Sequence, residues 1–337
     1  MSAASDTVEL GVVLLIFAKA KKPQEVWEAL FKDLHQHLQP HLHPSHEDSP
    51  LQPTFQDGDD GKVASLLLTF KEVLSLRQLK ALTDHDLTTF EKIHEIELFL
   101  QPGPLYAFHK APGLAVFDMD STLIQQEVID ELARCVGVYD QVSAITEAAM
   151  RGEEPYTDFE ASLRARVGYL KGVPTSIWDE MKKGGIITFT TGARELTKSL
   201  KAQGWKMAVL SGGFTPLASW IQAELGLDYC YANHLVADSS TGTLTGELVE
   251  GQPIIHGIKK RELLQEIAEK EGIPLERVVA VGDGSNDLPM MEVAGLGVAF
   301  NAKPKVQAMA PTRLNSGSLV DVLYVLGYGR GEIEGAV

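Results

Sequence analysis

The sequence predicts an α/β protein with a parallel sheet core, an inserted helical cap and a small N-terminal α+β domain. Three observations support this. At roughly 150 residues per domain, 337 residues suggest about two domains. Four short apolar runs beyond residue 113 are typical of strands buried on both faces of a parallel sheet. Helical patterns separate those runs, which is the alternation of a doubly wound, Rossmann-like domain.

The first 103 residues are expected to form the α+β domain. Three apolar runs predict strands, at Leu10–Ala18, Val63–Phe70 and Ile93–Leu100. Helix-like patterns lie between them, at Gln24–Leu38 and Ser75–Thr89. A regulatory or assembly module with an ACT-like fold is our hypothesis for this domain, although no residue motif supports it.

Two segments, one within the first domain and one at its end, are rich in Pro and Gly. Residues 40–61 also contain many His and Asp and are expected to form a long loop. Residues 101–113 have the composition of a linker. We therefore place the domain boundary between residues 103 and 104, with the second domain at 104–337.

The second domain is expected to contain four core strands and two further features. The strands are predicted at 114–118, 207–211, 278–283 and 297–300. Between the first two, about residues 127–183, the chain has helical patterns and no strand-like run, which predicts a helical cap. A Ser/Thr/Gly-rich turn within residues 232–250 predicts a hairpin.

Charge and hydropathy exclude several classes of partner. Thirty Lys and Arg against 46 Asp and Glu give a net charge of −16, which argues against nucleic acid and anionic membrane surfaces. The apolar run Leu10–Ala18 is far shorter than the roughly 20 residues that cross a bilayer, and acidic residues precede it. Cys135 and Cys230 have no CxxC spacing, so we expect two reduced, core or near-core cysteines and a cytoplasmic protein.

Polar side chains follow three of the predicted strands, at the carboxyl ends where open α/β sheets bind ligands. They are Asp118 and Asp120 after the first strand, Ser211 and Gly212 at the end of the second, and Asp283, Asn286 and Asp287 after the third. Lys260 begins the helix that leads into the third strand. These groups are expected to meet in one crevice.

The chemistry of this set suits phosphoryl transfer. Carboxylate oxygens are the ligands that Mg²⁺ prefers, and a carboxylate can attack phosphorus to form an aspartyl phosphate. A second carboxyl two residues later can protonate the leaving alkoxide and then activate water. A Ser hydroxyl, Gly N–H groups and a Lys ammonium can neutralise the oxygens of the transferring phosphoryl group.

Four motifs in this order carry a resemblance to a known family. DMDST at 118–122, SGGF at 211–214, Lys260 and GDGSND at 282–287 resemble the motifs of the haloacid dehalogenase (HAD) superfamily of phosphatases. Longer matches, at 118–133, 158–172, 210–218 and 279–300, resemble its phosphoserine phosphatases in particular. The resemblance covers about residues 113–326 and implies a HAD-like core with a helical cap. Met119 departs from the Phe that is common in the family.

The resemblance implies a role for each matching position. Asp118 would be the nucleophile and Asp120 the general acid/base. Mg²⁺ would be bound by Asp118, Asp283 and the main-chain carbonyl of Asp120, with Asp287 supporting the metal and the lysine. The substrate residues would be Ser211, Gly212, Lys260 and Asn286 around the phosphoryl group, Glu127 at the ammonium, Arg166 at the carboxylate and Phe159 closing the pocket.

Simpler interpretations exist for several of these residues. Two aspartates after a strand also occur in plain turns. Arg166, next to Arg164, also fits a solvated helix face, and Glu127 also fits an acid that complements a helix N-terminus. Lys259 is the neighbouring alternative to Lys260. The His-rich stretch at residues 35–46 matches no regular metal-ligand spacing, so we assign it no ligand.

The implied activity is Mg²⁺-dependent hydrolysis of O-phosphoserine to serine and phosphate, the last step of serine biosynthesis. The expected partner is that small molecule, and we expect no nucleic acid or membrane partner. Whether the protein forms a homodimer is left open. Two alternatives remain at this point. One is phosphoryl transfer from or to another molecule, with homoserine as an acceptor, and the other is a catalytically silent amino-acid-binding regulator.

Overall fold

The computed structural model describes residues 11–46, 51–58 and 61–336. The described chain contains a four-stranded sheet before residue 103, a six-stranded sheet after residue 113 and a separate two-stranded hairpin. The predicted α/β class with a parallel core is therefore confirmed. Among the described residues, no helix is long and apolar enough to cross a membrane.

The N-terminal part has the order β-α-β-β-α-β of ferredoxin-like folds. Its elements are β1 (Gly11–Ala18), α1 (Gln24–Leu38), β2 (Thr54–Phe55), β3 (Val63–Thr69), α2 (Leu76–Ala81), α3 (Thr88–His94) and β4 (Ile96–Pro102). The strands pair antiparallel in the order β2-β3-β1-β4. The predicted helix at 75–89 is split instead into α2 and α3 by a wide turn at Leu82–Asp86. The ACT-like assignment stays a prediction.

The second sheet is parallel throughout, in the order β12-β11-β10-β5-β6-β7. Its strands are β5 (Leu114–Phe117), β6 (Lys206–Phe214), β7 (Tyr229–Asn233), β10 (Val278–Gly282), β11 (Leu296–Phe300) and β12 (Thr312–Leu314). All four predicted strands are present. The two edge strands, β7 and β12, were not predicted, and β8 (Leu235–Asp238) and β9 (Thr243–Leu248) form the predicted hairpin.

The helices after residue 102 fall into a cap group and a group around the core sheet. The predicted cap contains α5 (Val128–Cys135), α6 (Tyr139–Arg151), α7 (Phe159–Gly168) and α8 (Ile177–Lys183). The others are α4 (Gly103–His109), α9 (Ala193–Ala202), α10 (Thr215–Leu225), α11 (Gly257–Glu271), α12 (Leu288–Val293), α13 (Pro304–Met309), α14 (Asp321–Val325) and α15 (Arg330–Glu334).

The predicted linker at 101–113 is wrong for most of its length. Its first two residues complete β4, and α4 begins directly at Gly103. Pro104 lies in the first turn of α4, where a missing N–H breaks no helical hydrogen bond, so proline is compatible with a helix there. The segment therefore connects the two parts mainly through a helix.

The two parts pack against each other through an apolar interface. Val13, Leu15 and Phe17 of β1 and Phe99 of β4 belong to the same buried cluster as Phe117 of the core sheet. The alternate residues of β1 pack in the other direction, against α1 and its neighbours. β1 is consequently buried on both faces, which explains its unbroken apolar sequence.

The cysteines are only partly as expected. Both are unpaired. Cys230 is half-buried, but Cys135 is exposed, so the expectation of a core or near-core position is wrong for Cys135. Cys135 is the last residue of α5, beyond the buried face that Val128, Ile129, Leu132 and Ala133 form.

Candidate active site

The candidate site lies at the carboxyl ends of three adjacent strands. β5 lies between β10 and β6 in the sheet, so the residues after these strands are neighbours. Asp118 directly follows β5, Ser211 lies near the end of β6, and Asp283 directly follows β10. The parallel sheet thus brings together the three segments that the sequence singled out.

The turn after β5 is held by hydrogen bonds to the neighbouring strand β10 and to the Asp118 side chain. The Asp118 N–H donates to Val281 O at 2.9 Å, and the Met119 N–H donates to Asp118 Oδ1 at 2.7 Å. Ser121 has a positive φ of 54°. Met119 is fully buried, and a methyl group at Gly213 would lie 2.7 Å from its Cε atom. Both the backbone and the side chain of Met119 therefore shape the site.

Lys260 is the central cation of the site. Its side chain is 0% exposed, and its Nζ lies 2.7 Å from Asp118 Oδ1 and 2.7 Å from Asp287 Oδ1. Burial by itself lowers the pKa of Lys260, but the two carboxylates outweigh it and the net shift is upward. Lys259 instead pairs with Glu262 and Glu266 on the same helix. Of the two candidate lysines, Lys260 is the one in the site.

Three carboxylates surround this lysine. Oxygens of Asp118, Asp283 and Asp287 all lie within 4.8 Å of one another. Burial, then repulsion by Asp287, raises the pKa of Asp118 well above its usual range and that of Asp283 to about 7. One ammonium cannot neutralise three carboxylates. The set of hard oxygen ligands with excess negative charge can hold a metal ion.

Asp120 has surroundings unlike those of Asp118. Its Oδ2 accepts from the Val128 N–H at 3.1 Å, and its Oδ1 is buried without a hydrogen-bond partner among the described residues. Burial, then the negative charge of Glu127, raises the pKa of Asp120 well above the usual range. A carboxyl held protonated in this way can donate a proton to a leaving group.

The residues predicted to bind the phosphoryl group lie around this cluster. Ser211 is fully buried, and its Oγ accepts from the Gly213 N–H at 2.8 Å. Residues 211–213, named here the turn of β6, lie where the pairing of β6 with β7 is interrupted, and the Gly212 N–H belongs to this turn. The Asn286 side chain lies over Gly284, because a methyl group there would be only 2.2 Å from Asn286 Oδ1. Gly257, at the start of α11, packs against the Asn286 main chain.

The predicted head-group residues lie in the cap, beside the cluster. Phe159 Cζ would lie 3.3 Å from a methyl group at Gly212, so Phe159 closes over the turn of β6. Arg166 is half-buried, and its Nε donates to Ser162 O at 3.2 Å. Burial lowers the pKa of Arg166, while the charges of Asp130 and Glu127 oppose that shift.

The structure adds two residues to this pocket that the sequence analysis did not single out. Ser121 Oγ donates to Glu127 Oε1 at 2.7 Å and so orients that carboxylate. Burial, then repulsion by Glu127, raises the pKa of Asp130, which also interacts with Arg166. Ser121 was within the first motif, but only the fold shows which side chain it meets.

Sequence comparison relates the chain to a known family of hydrolases. The family model for haloacid dehalogenase-like hydrolases matches residues 115–292. The chain belongs to this family. It is 48% identical over 227 residues to a phosphoserine phosphatase of Saccharomyces cerevisiae, covering 67% of this chain and 71% of that one.

Two solved structures extend the likeness from sequence to fold. A probable phosphoserine phosphatase from Vibrio cholerae, in unliganded form, matches with a TM-score of 0.71 and 32% identity over 98% of this chain and 90% of that one. That match spans both parts of this HAD protein. A phospho-aspartyl intermediate analogue of phosphoserine phosphatase matches with a TM-score of 0.56 and 42% identity, over 64% of this chain and 98% of that one.

Proposed function

We propose that this HAD phosphatase hydrolyses O-phosphoserine to serine and phosphate, with Mg²⁺ as its metal. One observation carries the choice of substrate. Glu127 and Arg166, with opposite charges, lie beside the carboxylate–lysine cluster, and the charge of Glu127 acts on both Asp120 and Arg166. Phosphoserine carries an ammonium, a carboxylate and a phosphate. These would complement Glu127, Arg166 and Lys260 of the cluster, respectively.

Asp118 and Asp120 divide the reaction between them. An oxygen of Asp118 attacks phosphorus, and the bond from phosphorus to the serine oxygen breaks as Asp120 donates its proton to that oxygen. Serine leaves. Asp120, now a carboxylate, takes a proton from water as the water attacks phosphorus. The bond to Asp118 breaks, phosphate leaves, and both aspartates return to their first state.

Asp118, Asp283 and the main-chain carbonyl of Asp120 would hold Mg²⁺, with Asp287 beside them. When bound, the ion would neutralise charge on the phosphoryl oxygens and on the nucleophile. The excess of carboxylates over cations in the cluster supports a divalent ion here. Thr122 Oγ1 lies 3.4 Å from Asp283 Oδ1 and helps to orient that carboxylate.

Ser211, Gly212, Lys260 and Asn286 would bind the phosphoryl group. The Ser211 hydroxyl, the Gly212 N–H and the Asn286 amide can donate hydrogen bonds to its oxygens. Lys260 adds a fixed positive charge, because Asp118 and Asp287 keep its amino group protonated. Because these donors are buried or packed, they need little reorganisation when charge develops on the oxygens.

Glu127 and Arg166 would bind the amino-acid head group, under Phe159. The Nε of Arg166 donates to Ser162 O, so its two terminal nitrogens are the donors that would meet a carboxylate. A guanidinium can bind a carboxylate through two parallel hydrogen bonds. Glu127, oriented by Ser121, complements the ammonium. The homodimer and the cytoplasmic location stay predictions.

Phosphate release from a panel of phosphomonoesters tests this proposal. We expect phosphoserine to have a kcat/KM well above those of phosphoethanolamine, which lacks the carboxylate, and of 3-phosphoglycerate, which lacks the ammonium. Omitting Mg²⁺ is expected to abolish turnover. Homoserine, added as an acceptor, is expected to leave the yield of free phosphate unchanged. Equal activity on all three esters would contradict the head-group assignment.

A further inference from the structure

We propose that Asn233 is a positioning residue, which joins the two segments that hold the phosphoryl-binding groups. Its side chain is 1% exposed and lies at the end of the edge strand β7. Its Nδ2 donates to Gly212 O at 2.8 Å, and its Oδ1 accepts from the Ile255 N–H at 2.9 Å. One amide group therefore connects the turn of β6 to the segment that precedes α11.

Both partners of this amide lie next to groups assigned to the phosphoryl site. Gly212 directly follows Ser211. Ile255 precedes His256, whose carbonyl accepts from the Lys260 N–H at 2.8 Å in the first turn of α11. The segments also pack directly, because a methyl group at Gly212 would lie 3.7 Å from Ile255 O. The inference rests on the proposed function in assigning Ser211, Gly212 and Lys260 to the phosphoryl group.

The sheet explains why a side chain is needed here. β6 and β7 pair regularly up to Leu210 and Tyr231, and pairing resumes at Phe214 and Asn233. Between these points three residues of β6 stand opposite one residue of β7, so regular strand pairing is interrupted where the site lies. The Asn233 side chain supplies a donor to Gly212 O at this interruption.

The backbone of Asn233 is itself held in place. Thr215 Oγ1 donates to Asn233 O at 3.0 Å from the first residue of α10. A carboxamide offers an N–H donor and an oxygen acceptor. The Gly212 carbonyl requires the donor and the Ile255 N–H requires the acceptor. We infer that Asn233 sets the distance between the Gly212 N–H and Lys260, and so the fit to the phosphoryl oxygens.

Asn233→Ala tests this role. Because small misplacements of binding groups are costly, kcat/KM is expected to fall about 10–100-fold. The fall should be the same for phosphoserine and p-nitrophenyl phosphate, since both present a phosphoryl group. Inhibition by inorganic phosphate should weaken by a similar factor. The Mg²⁺ concentration that gives half-maximal activity should change much less than phosphate inhibition, because Asn233 contacts neither Asp118 nor Asp283 and is linked to Asp118 only through Lys260.

Asn301→Gly is the control outside the site, because glycine tolerates the positive φ of 46° at this position. Asn301 also bridges two backbone groups, donating to Ser316 O at 2.7 Å and accepting from the Ser316 N–H at 3.0 Å. Its variant should keep wild-type affinity for phosphate. If Asn233→Ala does not fold, Thr215→Val removes the hydroxyl bond to Asn233 O and should cause a smaller change in the same direction.

Two results would overturn the inference. One is wild-type inhibition by phosphate in Asn233→Ala. If Asn233→Ala does not fold and Thr215→Val does, the same result in Thr215→Val would overturn it. The other is an equal loss of phosphate affinity and Mg²⁺ response, which would indicate general loosening of the fold. The assay with p-nitrophenyl phosphate keeps this test separate from the choice of substrate, because that ester has no amino-acid head group.

Discussion

At the scale of single residues, two arginines of helix α7 lie two positions apart and differ in what surrounds them. Arg164 is exposed and pairs with Glu160, four residues earlier on the same helix. Arg166 is half-buried and faces the acidic pocket of Glu127 and Asp130. The charge pattern of the sequence could not separate them, because both fit a solvated helix face equally well.

Arg166→Ala is expected to reduce phosphoserine hydrolysis far more than hydrolysis of p-nitrophenyl phosphate, which has no carboxylate. A lost charge-assisted hydrogen bond of about 1.5–3 kcal/mol corresponds to about 10–150-fold in kcat/KM. Steady-state kinetics with both substrates measure the ratio, and Arg164→Ala is the matched control with unchanged kinetics. An equal loss on the two substrates would place Arg166 in the phosphate site or in the fold.

Much of the site could be predicted because its residues directly follow buried strands. Asp118, Ser211 and Asp283 lie at the ends of the apolar runs that form β5, β6 and β10. Asp130 and Asn233 could not be predicted in this way. Their roles depend on contacts with the cap and with the turn of β6, which only the three-dimensional arrangement brings together.

At the scale of elements, the short edge strand β12 carries the main polar contact between the two parts. Arg313 Nη2 lies 2.7 Å from Glu91 and its Nε lies 2.9 Å from Asp84, and its Nη1 also pairs with Glu97. All three carboxylates come from the N-terminal part. A three-residue strand with a central arginine has no apolar run, which is why the sequence did not predict β12.

Arg313→Met is expected to lower the free energy of unfolding by about 3–5 kcal/mol, because it leaves buried carboxylates without their counter-charge. Chemical denaturation measures this change. Arg77→Met is the control, since Arg77 and Glu292 form an exposed ion pair between the same two parts. Exposed pairs contribute about 0–1 kcal/mol. A similar small change for Arg313→Met would show that its cluster is not the main polar contact.

Glu97 is expected to make stability depend on pH. Burial raises its pKa from 4.5 to about 7, although Arg313 opposes the shift. Between these values the folded protein binds a proton at Glu97 that the unfolded chain has lost, so the Glu97 contribution to stability falls as pH rises. The slope is at most about 1.4 kcal/mol per pH unit. Unfolding measured against Glu97→Gln across pH 4.5–7 isolates this contribution, and a constant difference would contradict it.

At the scale of the whole molecule, the N-terminal part contributes packing and none of the residues assigned to chemistry. Its sheet shares an apolar cluster with the core, and Gln101 Nε2 donates to Val325 O at 2.8 Å across the boundary. The assignment of residues 1–103 and 104–337 as separate domains therefore stays a proposal. Three of the five Pro and Gly residues that suggested a linker, Pro102, Gly103 and Pro104, lie at the start of α4, where proline is common.

A shortened chain that begins at Pro104 is expected to retain turnover of phosphoserine and to lose stability. Its core loses the apolar cover from β1 and β4, and Arg313 loses three partners. Steady-state kinetics, thermal unfolding and light scattering on both chains measure these effects. A folded, soluble shortened chain without turnover would show that residues 1–103 complete the active site.

Covalent transfer of the phosphoryl group to Asp118 is the step on which the proposed mechanism depends. Acid quenching of the full-length protein during turnover of phosphoserine, followed by mass analysis of its peptides, tests it directly. We expect one phosphoryl group on Asp118 in the wild type, and neither a phosphorylated peptide nor turnover in Asp118→Asn, because an amide cannot act as the anionic nucleophile. Near-wild-type turnover by Asp118→Asn, or a phosphoryl group on another residue, would contradict the mechanism.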